Sequence, residues 1–401
     1  MNAKGASNTP PHCDITLGIS QLTTAVALWL CILSGLWTDC HASGSAPFAS
    51  GYNVRYYTMS DGLPHNYIHD IYRDSNGFLW VSTQGGGLSR FDGYEYINYG
   101  PDEPYRKLNG IFIVNVAEDR FKRLWIATDR EVEVISLNTL AGAMPESGEL
   151  KRLAAHNSMR VVVDTTGALW FHSGKTIVRI GFNADGEVAD ISTMPFNHNP
   201  LSLMMNDAEH DGSIWAGIDN NVVRLHHDGQ GGITATPIPG LSGFPQGICF
   251  YSMLTRENEI WIASDRGIFR YNRNEDLMKH YTHSDHDATT ISHNFVTDLD
   301  IDSSKRLVAT SLGGLNIYNP MTDTFERVSP YESDKIRTPF ITNMLVDGED
   351  LWIASEGAGI GHFTPKRLSL TTFSHNPDNP NSLSRNPVNA ILEDGDGTLW
   401  A

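Results

Sequence analysis

The segment Asp74-Ser75-Asn76-Gly77-Phe78-Leu79-Trp80-Val81-Ser82-Thr83 decides the fold of this chain, because its pattern recurs at a fixed period. The tryptophans after residue 46 are spaced by 45, 45, 45, 46, 91 and 48 residues, and the spacing of 91 is two periods. Val308 stands where the skipped tryptophan is expected. Such regular self-similarity indicates a repeat architecture. The eight repeat anchors are Trp80, Trp125, Trp170, Trp215, Trp261, Val308, Trp352 and Trp400.

Acidic residues keep the same phase as the anchors. Six residues before the anchor stands Asp or Glu in six of the eight repeats, and glycine often follows three residues after the acid. This spacing predicts a β-turn, in which the Asp side chain caps the turn and glycine accepts a positive φ. The acids are Asp74, Asp119, Asp164, Glu209, Asp302 and Asp394.

One repeat contains four short segments with strand composition. In the first repeat we expect strands over 67–72, 78–83, 88–92 and 94–99, separated by turns. Four antiparallel strands in about 45 residues are the blade of a β-propeller. A helical repeat would need long stretches of 3.6-residue periodicity, and none is visible. The predicted fold is therefore all-β, a seven-bladed β-propeller of four-stranded antiparallel blades.

The anchors also predict the domain boundaries. The ring is expected over 47–365, with its seven anchors from Trp80 to Trp352. Either the stretch 53–57 or the stretch 370–374 could supply the strand that closes blade seven, and closure removes exposed sheet edges. Residues 366–401 are expected to begin a further blade or a second propeller, so we interpret the chain as a fragment of a longer protein.

The N-terminal region predicts export. Ile15 to Thr38 are 24 residues without a formal charge, followed by small residues, so residues 1–46 are expected to be a signal peptide or an N-terminal membrane anchor. Either alternative places the ring in the periplasm or outside the cell. Three of the four cysteines fall in this region, which leaves Cys249 without a partner for an internal disulfide. The 47 acidic and 29 basic residues, a net charge of -18, argue against nucleic-acid binding.

The most specific motifs resemble a known family. Asp61-Gly62-Leu63-Pro64-His65-Asn66, the segment 74–83 and Gly86-Gly87-Leu88-Ser89-Arg90-Phe91-Asp92-Gly93 look like the two-component regulator propeller repeat, and 375–383 looks like its inter-blade segment. The resemblance covers about residues 53–401. It implies an extracytoplasmic sensor of a bacterial hybrid histidine kinase or related receptor. It also implies a second propeller, a membrane span, a cytoplasmic output module, homodimerisation and a glycan or other nutrient as ligand.

Candidate ligand-binding residues lie in the loops that lead into the first strand or join the second strand to the third. These loops converge at one end of a propeller channel, where ligands usually bind. Their polar side chains suggest a funnel for a small molecule or oligosaccharide. Asp129, Asp219 and Asp265 recur at one phase and are interpreted as turn residues. The candidates are His65, Gln84, Arg130, His172, Arg266 and Glu356.

Other clusters favour plain structural roles. His280, His283, Asp285, His286 and Asp287 have a spacing that a transition metal could use, but they align with the polar inter-blade segment. We therefore predict no metal site and no cofactor. The anchor tryptophans are interpreted as inter-blade core and not as a sugar-stacking surface. Third-strand arginines are expected to pair with neighbouring acids: Arg90, Arg179, Arg224 and Arg270.

Three functional hypotheses follow. The first is a ligand-sensing propeller of a two-component-type receptor, without catalysis of its own. The second is a secreted propeller lyase or glycosidase, which would need a pair of carboxylates about 5–10 Å apart. No such pair stands out from turn chemistry in the sequence. The third is a scaffold for protein interactions.

Overall fold

The computed structural model describes residues 48–103, 107–196, 201–207, 209–331, 333–366 and, with gaps at 376, 378–379, 381 and 396–397, residues 375–400. The predicted leader, and the alternative closing strand over 370–374, lie outside the described residues. The chain divides into the units Met1–Pro47 and Phe48–Ala401, and the fold below is that of the second unit.

Residues 52–365 form seven sheets, one to each blade, and a two-stranded sheet follows the ring. The first strand is β1 (Tyr52–Tyr57). Blades one and two contain β2 (Ile68–Arg73), β3 (Leu79–Thr83), β4 (Leu88–Phe91), β5 (Tyr96–Tyr99), β6 (Ile113–Glu118), β7 (Arg123–Thr128) and β8 (Val132–Ser136). Blades three and four contain β9 (Val161–Val163), β10 (Leu169–Ser173), β11 (Thr176–Phe182), β12 (Val188–Pro195), β13 (Leu201–Asn206), β14 (Ser213–Ile218), β15 (Asn221–His227) and β16 (Ile233–Pro237). Blades five to seven contain β17 (Phe250–Arg256), β18 (Glu259–Ser264), β19 (Gly267–Asn272), β20 (Leu277–Tyr281), β21 (Val296–Ile301), β22 (Leu307–Ser311), β23 (Gly314–Asn319), β24 (Thr324–Val328), β25 (Ile341–Asp347), β26 (Asp350–Ser355) and β27 (Ile360–Pro365).

This arrangement confirms the seven-bladed propeller. Six sheets are antiparallel and four-stranded, while blade two has three strands and a single bridge between Ile135 and Gly142 in place of the fourth. The strand β1 pairs with β27, from Tyr52 opposite Pro365 to Tyr57 opposite Ile360. Of the two closing strands considered, the stretch 53–57 therefore closes blade seven, and the ring has no free edge at that point.

Helical structure is sparse. The helix α1 (Gly148–Ala154) lies between blades two and three, and its first turn is capped by the Ser147 hydroxyl, which accepts from the main-chain N–H of Leu150 over 3.2 Å. None of the helices in the part of the chain that the structure describes is long and apolar enough to cross a membrane.

The anchor tryptophans fill the contacts between blades. Trp80 packs with residues of blade two such as Ile113 and Ile126, and Trp352 packs with Ile68 of blade one. All six tryptophan anchors of the ring are at most 5 % exposed. Burial of an indole removes a large apolar area from water, so each anchor stabilises the contact with the next blade. The interpretation of the tryptophans as inter-blade core is confirmed.

Blade six lacks its tryptophan, and the N-terminal segment fills the space. Phe48 and Tyr52 join the core cluster that contains Val308, and Phe48 lies under the guanidinium of Arg306 at 4.6 Å. The main-chain N–H of Phe48 donates to Glu326 Oε1 over 2.7 Å. The shorter valine is therefore compensated by two aromatic rings from the start of the ring.

The turn acid of blade four is Asp207, and the sequence assignment of Glu209 to that role was wrong. Asp207 is fully buried, accepts the main-chain N–H of Glu209 and pairs with Arg224 over 2.7 Å. Glu209 instead pairs with Arg273 of blade five. The turn of blade four is longer by two residues, so counting six residues back from Trp215 reaches the wrong acid.

The third-strand arginines behave largely as expected. Arg179, Arg224 and Arg270 pair with Asp190, Asp207 and Glu259 respectively. Arg90 is the exception: its guanidinium lies over the Phe78 ring at 4.4 Å. Aromatic contact thus replaces ion pairing in blade one.

After the ring, β28 (Leu392–Glu393) pairs with β29 (Leu399–Trp400). The Trp400 indole donates to Asp394 over 2.8 Å. This hairpin belongs to the eighth repeat, and a second propeller stays a prediction.

Candidate ligand-binding site in the central channel

The channel at the centre of the ring contains a cavity of about 530 Å³, lined by side chains from all seven blades. This volume is in the range of small-molecule sites in proteins. The side chains come from the innermost strands and from the loops beside them, so the repeat brings equivalent segments of the seven blades to one cavity.

A β-bulge shapes each of six inner strands. The register slips by one residue in β2, β6, β13, β17, β21 and β25, whereas the short strand β9 keeps its register. A bulge re-aims the side chain that follows it. This residue stands nine to twelve residues before the anchor and is polar in five of the six strands. It is Asp70, Asn115, Leu203, Ser252, Asp298 and Asn343, and in blade three, which has no bulge, Arg160 precedes β9.

Five of these residues link each blade to the next, and we call them the inter-blade ring: Asp70, Asn115, Ser252, Asp298 and Asn343. Each accepts a main-chain N–H from the following blade. The donors are Val116, Val161, Leu299, Met344 and Ile71, at 3.4, 2.9, 3.3, 3.3 and 3.3 Å. Asn343 also donates to Asp298 over 3.1 Å. The inter-blade ring therefore satisfies main-chain N–H groups in the innermost strand of the following blade.

Arg160 interrupts this pattern, because a guanidinium cannot accept a hydrogen bond. Its Nη1 donates to the carbonyl of Tyr251 over 3.2 Å, so this hydrogen bond links blade three directly to blade five. Among the described residues no carboxylate pairs with Arg160, although its charge acts on His69, Asp70 and Asp298. The side chain is half-buried and lines the cavity, so its other N–H groups can serve a ligand.

Burial changes the acid–base behaviour of the channel. It raises the pKa of Asp70 to about 7, and the Arg160 charge only partly opposes this shift. Burial also raises the pKa of Asp298 and lowers that of His69. His69 Nδ1 lies 2.9 Å from the Val114 carbonyl and must be the donor there, so the neutral ring offers Nε2 as an acceptor.

Aromatic side chains occupy one half of the channel mouth, at the residue just before the inner strand. We call this set the aromatic arc: Phe295, Phe340, Tyr67 and Phe112, from the consecutive blades six, seven, one and two. Phe295 packs against Tyr251 with ring centroids 4.8 Å apart. Phe112 meets His69 edge-on at 5.2 Å. Blade three lines the cavity with the exposed side chains of Asn157 and Met159 and with the buried Ser158.

The sequence contains a signal for this site that repeats in four blades and lies outside the loops of the six ligand-binding candidates. An aromatic residue, an aliphatic residue, any residue and then Asp or Asn recur together as 67–70, 112–115, 295–298 and 340–343. The motif joins one member of the aromatic arc to one member of the inter-blade ring. The motif recurs at a spacing of 45 residues in two pairs of neighbouring blades, from 67 to 112 and from 295 to 340.

Of the six ligand-binding candidates, the structure brings one to the cavity. Glu356 lines the cavity, and its main chain forms an antiparallel β-bridge with Tyr67. His172 is 7 % exposed and accepts the main-chain N–H of Met159 over 2.6 Å, so it lies behind the wall. Ligand binding by the six candidates stays a prediction.

The other four candidates lie around the mouth. His65 Nδ1 accepts from the main-chain N–H of Tyr67, and Gln84 is exposed beside Phe112. Arg130 is exposed, with Nε 4.0 Å from Asp129 Oδ2. Arg266 is exposed and donates to the Gln246 carbonyl over 3.3 Å. Asp129, which sequence reasoning assigned to a turn, lines the cavity.

The histidine-rich loop has a structural role. His283 Nδ1 lies 2.8 Å from the Ile291 carbonyl, and its main-chain N–H donates to Asn294 over 2.7 Å. His375 repeats both contacts with Leu383 and Asn386. His280 turns to the Arg266 carbonyl instead. These hydrogen bonds of His283 thus order the segment that connects blade five to blade six.

Comparisons with known proteins agree with the fold. The family model for the two component regulator propeller matches residues 62–85 and 382–401. No curated protein matches the chain significantly. Virginiamycin B lyase from Staphylococcus aureus superimposes with a TM-score of 0.53 at 14% identity, over 78% of this chain and 99% of the lyase.

Two structures of extracellular domains superimpose better. That of the hybrid two component system BT3049 from B. thetaiotaomicron gives a TM-score of 0.60 at 20% identity, over 87% of this chain and 46% of that domain. That of the system BT4673 gives 0.58 at 17% identity, over 87% and 44%. The present chain spans about half the length of either domain. The chain is thus a seven-bladed β-propeller, and its residues 62–85 and 382–401 match the two-component regulator propeller repeat.

Proposed function

We propose that this propeller is the extracytoplasmic ligand-sensing part of a two-component-type receptor, and that its channel binds a carbohydrate. The repeat family and the similarity to two extracellular domains of such systems support the receptor role. The channel supports the ligand class. Binding would alter the packing of paired receptors, and a membrane-tethered segment would relay that change to a cytoplasmic output.

The observation that carries the ligand class is the arrangement around Arg160. Its free N–H groups face a cavity that also contains Asp70, and the two side chains do not pair with each other. A sugar hydroxyl both donates and accepts, so it can bridge a guanidinium and a carboxylate. An anionic ligand would meet the carboxylates of Asp129 and Glu356 and would be disfavoured.

The test is isothermal titration of the full chain with neutral gluco-, manno-, xylo- and galacto-oligosaccharides. We expect a sugar that binds the unaltered protein to bind Arg160→Met at least about tenfold more weakly. Arg90→Met is the matched control. Arg90 lies on the third strand of blade one, its guanidinium lies over the Phe78 ring, and neither residue lines the cavity. Failure of every sugar to bind, or equal losses in both variants, would contradict the proposal.

We also propose that the propeller has no catalytic activity, against the lyase or glycosidase alternative. The carboxylates of Asp70 and Asp298 hold main-chain N–H groups of the next blades, which fixes them in the wall. Product formation from a polysaccharide by the purified chain would show the enzyme alternative to be correct. The scaffold alternative requires a protein partner and no sugar affinity.

Export and dimerisation belong to the same proposal. A reporter enzyme that is active only outside the cytoplasm, fused after Pro365, should be active. Sedimentation of the intact receptor should give a dimer. An inactive reporter would overturn the extracytoplasmic placement.

A further inference from the structure

The geometry of the channel mouth points to a ligand longer than the cavity. We propose that the ligand is a neutral oligosaccharide, with one end in the cavity and the next sugar rings stacked on the aromatic arc. This inference rests on the proposed function. It adds the length, the charge and the direction of the bound sugar.

The aromatic arc runs from inside the cavity onto the surface. Phe112 and Phe295 line the cavity, whereas Tyr67 and Phe340 are 43% and 46% exposed. Glu356 joins the main chains of the two exposed members. It forms a β-bridge with Tyr67, and its main-chain N–H donates to the Phe340 carbonyl over 2.9 Å. The arc is therefore continuous with the cavity, so a molecule that fills one reaches the other.

Backbone hydrogen bonds hold the arc in place. The carbonyls of Tyr67, Phe112, Phe295 and Phe340 each accept an N–H from the loop that joins the second and third strands of the same blade. The four distances are 2.9, 3.0, 3.1 and 2.9 Å. These bonds fix the main chain that carries the rings, so only the side-chain rotamers of the arc have to be ordered by a ligand.

The chemistry of the arc fits a sugar better than a protein. Aromatic faces pack against the C–H faces of pyranose rings, while neighbouring carboxylates accept their hydroxyl groups. Here Asp129 and Glu356 interrupt the apolar surface. A protein interface would instead be expected to have a continuous apolar core without charges. The same carboxylates oppose uronic or sulfated sugars.

The experiment is a length series on the full chain. The probes are cello-, manno- and xylo-oligosaccharides of one to six units, with oligogalacturonate as the charged probe. They are titrated into the unaltered protein, a Tyr67→Ala/Phe340→Ala variant and a Tyr94→Ala control. Tyr94 is 91% exposed in the turn before the fourth strand of blade one, so its loss tests for a nonspecific effect of removing a surface ring. Thermal unfolding checks that the variants fold.

We expect affinity to rise about tenfold or more between the disaccharide and the tetrasaccharide. The arc variant should lose this gain while keeping the affinity for the disaccharide, and Tyr94→Ala should keep both. Affinity independent of length, equal losses for both lengths, or stronger binding of oligogalacturonate than of neutral sugars would overturn the inference while leaving carbohydrate binding intact. A change of sedimentation in the arc variant without any change in sugar affinity would show a protein-docking surface and overturn it too. Absence of binding by every sugar would overturn the proposed function itself.

Discussion

The indole Nε1–H of Trp80 donates to Oδ2 of Asp74 over 2.8 Å inside the core. The other carboxylate oxygen, Oδ1, accepts the main-chain N–H groups of Asn76 and Phe78. One aspartate thus caps the turn and satisfies the buried tryptophan. Blades two and three repeat the contact at 2.8 and 2.7 Å, which explains the constant spacing of six residues.

Asp74→Ala should therefore cost more than an ordinary turn mutation. Asp74 is 4% exposed, and its removal leaves three N–H groups of other residues without their acceptor. We therefore expect the unfolding free energy to fall by about 2–4 kcal/mol. Urea titration followed by tryptophan fluorescence measures it. Asp92→Ala is the control, because that exposed aspartate also accepts two main-chain N–H groups but no indole. Equal losses would refute the double role of Asp74.

Gly359→Ala should open the closure of the ring. The glycine has a φ of +75°, and a Cβ there would lie 2.1 Å from the carbonyl oxygen of Tyr57 in β1. Gly357 has a φ of +91° and no atom within 4 Å of such a Cβ. Both alanine variants share the backbone strain of about 1 kcal/mol, so any excess loss in Gly359→Ala measures the clash. We expect an excess of about 2 kcal/mol and faster hydrogen exchange of the β1 amides; losses of the same size would contradict this.

Asp70→Asn should change how stability depends on pH. Because the folded pKa of about 7 lies above the ordinary value of 3.8, the folded state holds a proton that the unfolded state releases. The contribution of Asp70 to stability is therefore full below about pH 4 and falls as pH rises through 7. Asparagine keeps the acceptor for Val116, as Asn115 and Asn343 do in their blades. At pH 8 we expect the variant to be about 1–3 kcal/mol more stable than the unaltered protein.

Other titratable groups also contribute to the dependence of stability on pH. Burial raises the pKa of Asp300 to about 6 and that of Asp298, which act in the same sense, while the lowered pKa of His69 acts in the opposite sense. Thermal unfolding from pH 5 to 8 should show a shallower fall for Asp70→Asn. The reverse change, Asn343→Asp, should steepen it. A slope that is unchanged in Asp70→Asn would rule out Asp70 as the titrating group.

Phe48→Ala should destabilise blade six, although residue 48 precedes the first strand of the ring. Phe48 is 2% exposed, so the variant leaves a cavity beside Val308 and should cost about 2–4 kcal/mol. Met59→Ala, at a position 55% exposed, is the control. Val308→Trp restores the repeat but should also destabilise, because Phe48 and Tyr52 already fill that space. A more stable Val308→Trp would show that the space is empty.

The sequence predicted what one repeat determines by itself. The turn, the strand around Trp80 and the period depend on residues close together in the chain, so the blades could be counted and Val308 recognised as an anchor. The replacement of the missing indole by Phe48 could not be predicted, because Phe48 precedes the first strand whereas Val308 lies in blade six, far along the chain. Glu209 was misassigned because the turn of blade four is longer.

The site was harder to predict because its members come from different blades. Arg160, Asp70 and Asp298 come from blades three, one and six, and the bulges before Asp70 and Asp298 leave no mark in residue composition. Glu356 was found because it departs from the repeat pattern. The aromatic arc was overlooked because Tyr67 and Phe112 resemble ordinary strand residues.

The pairing of β1 with β27 also determines how the propeller responds to mechanical force. Tyr52 lies opposite Pro365, and the Lys366 N–H donates to the Gly51 carbonyl over 2.9 Å, so the chain enters and leaves the ring at one point. Tension between the two ends therefore loads these hydrogen bonds one pair at a time, as in unzipping, and does not shear all six pairs together. Blade seven is the place where a pulled ring opens first.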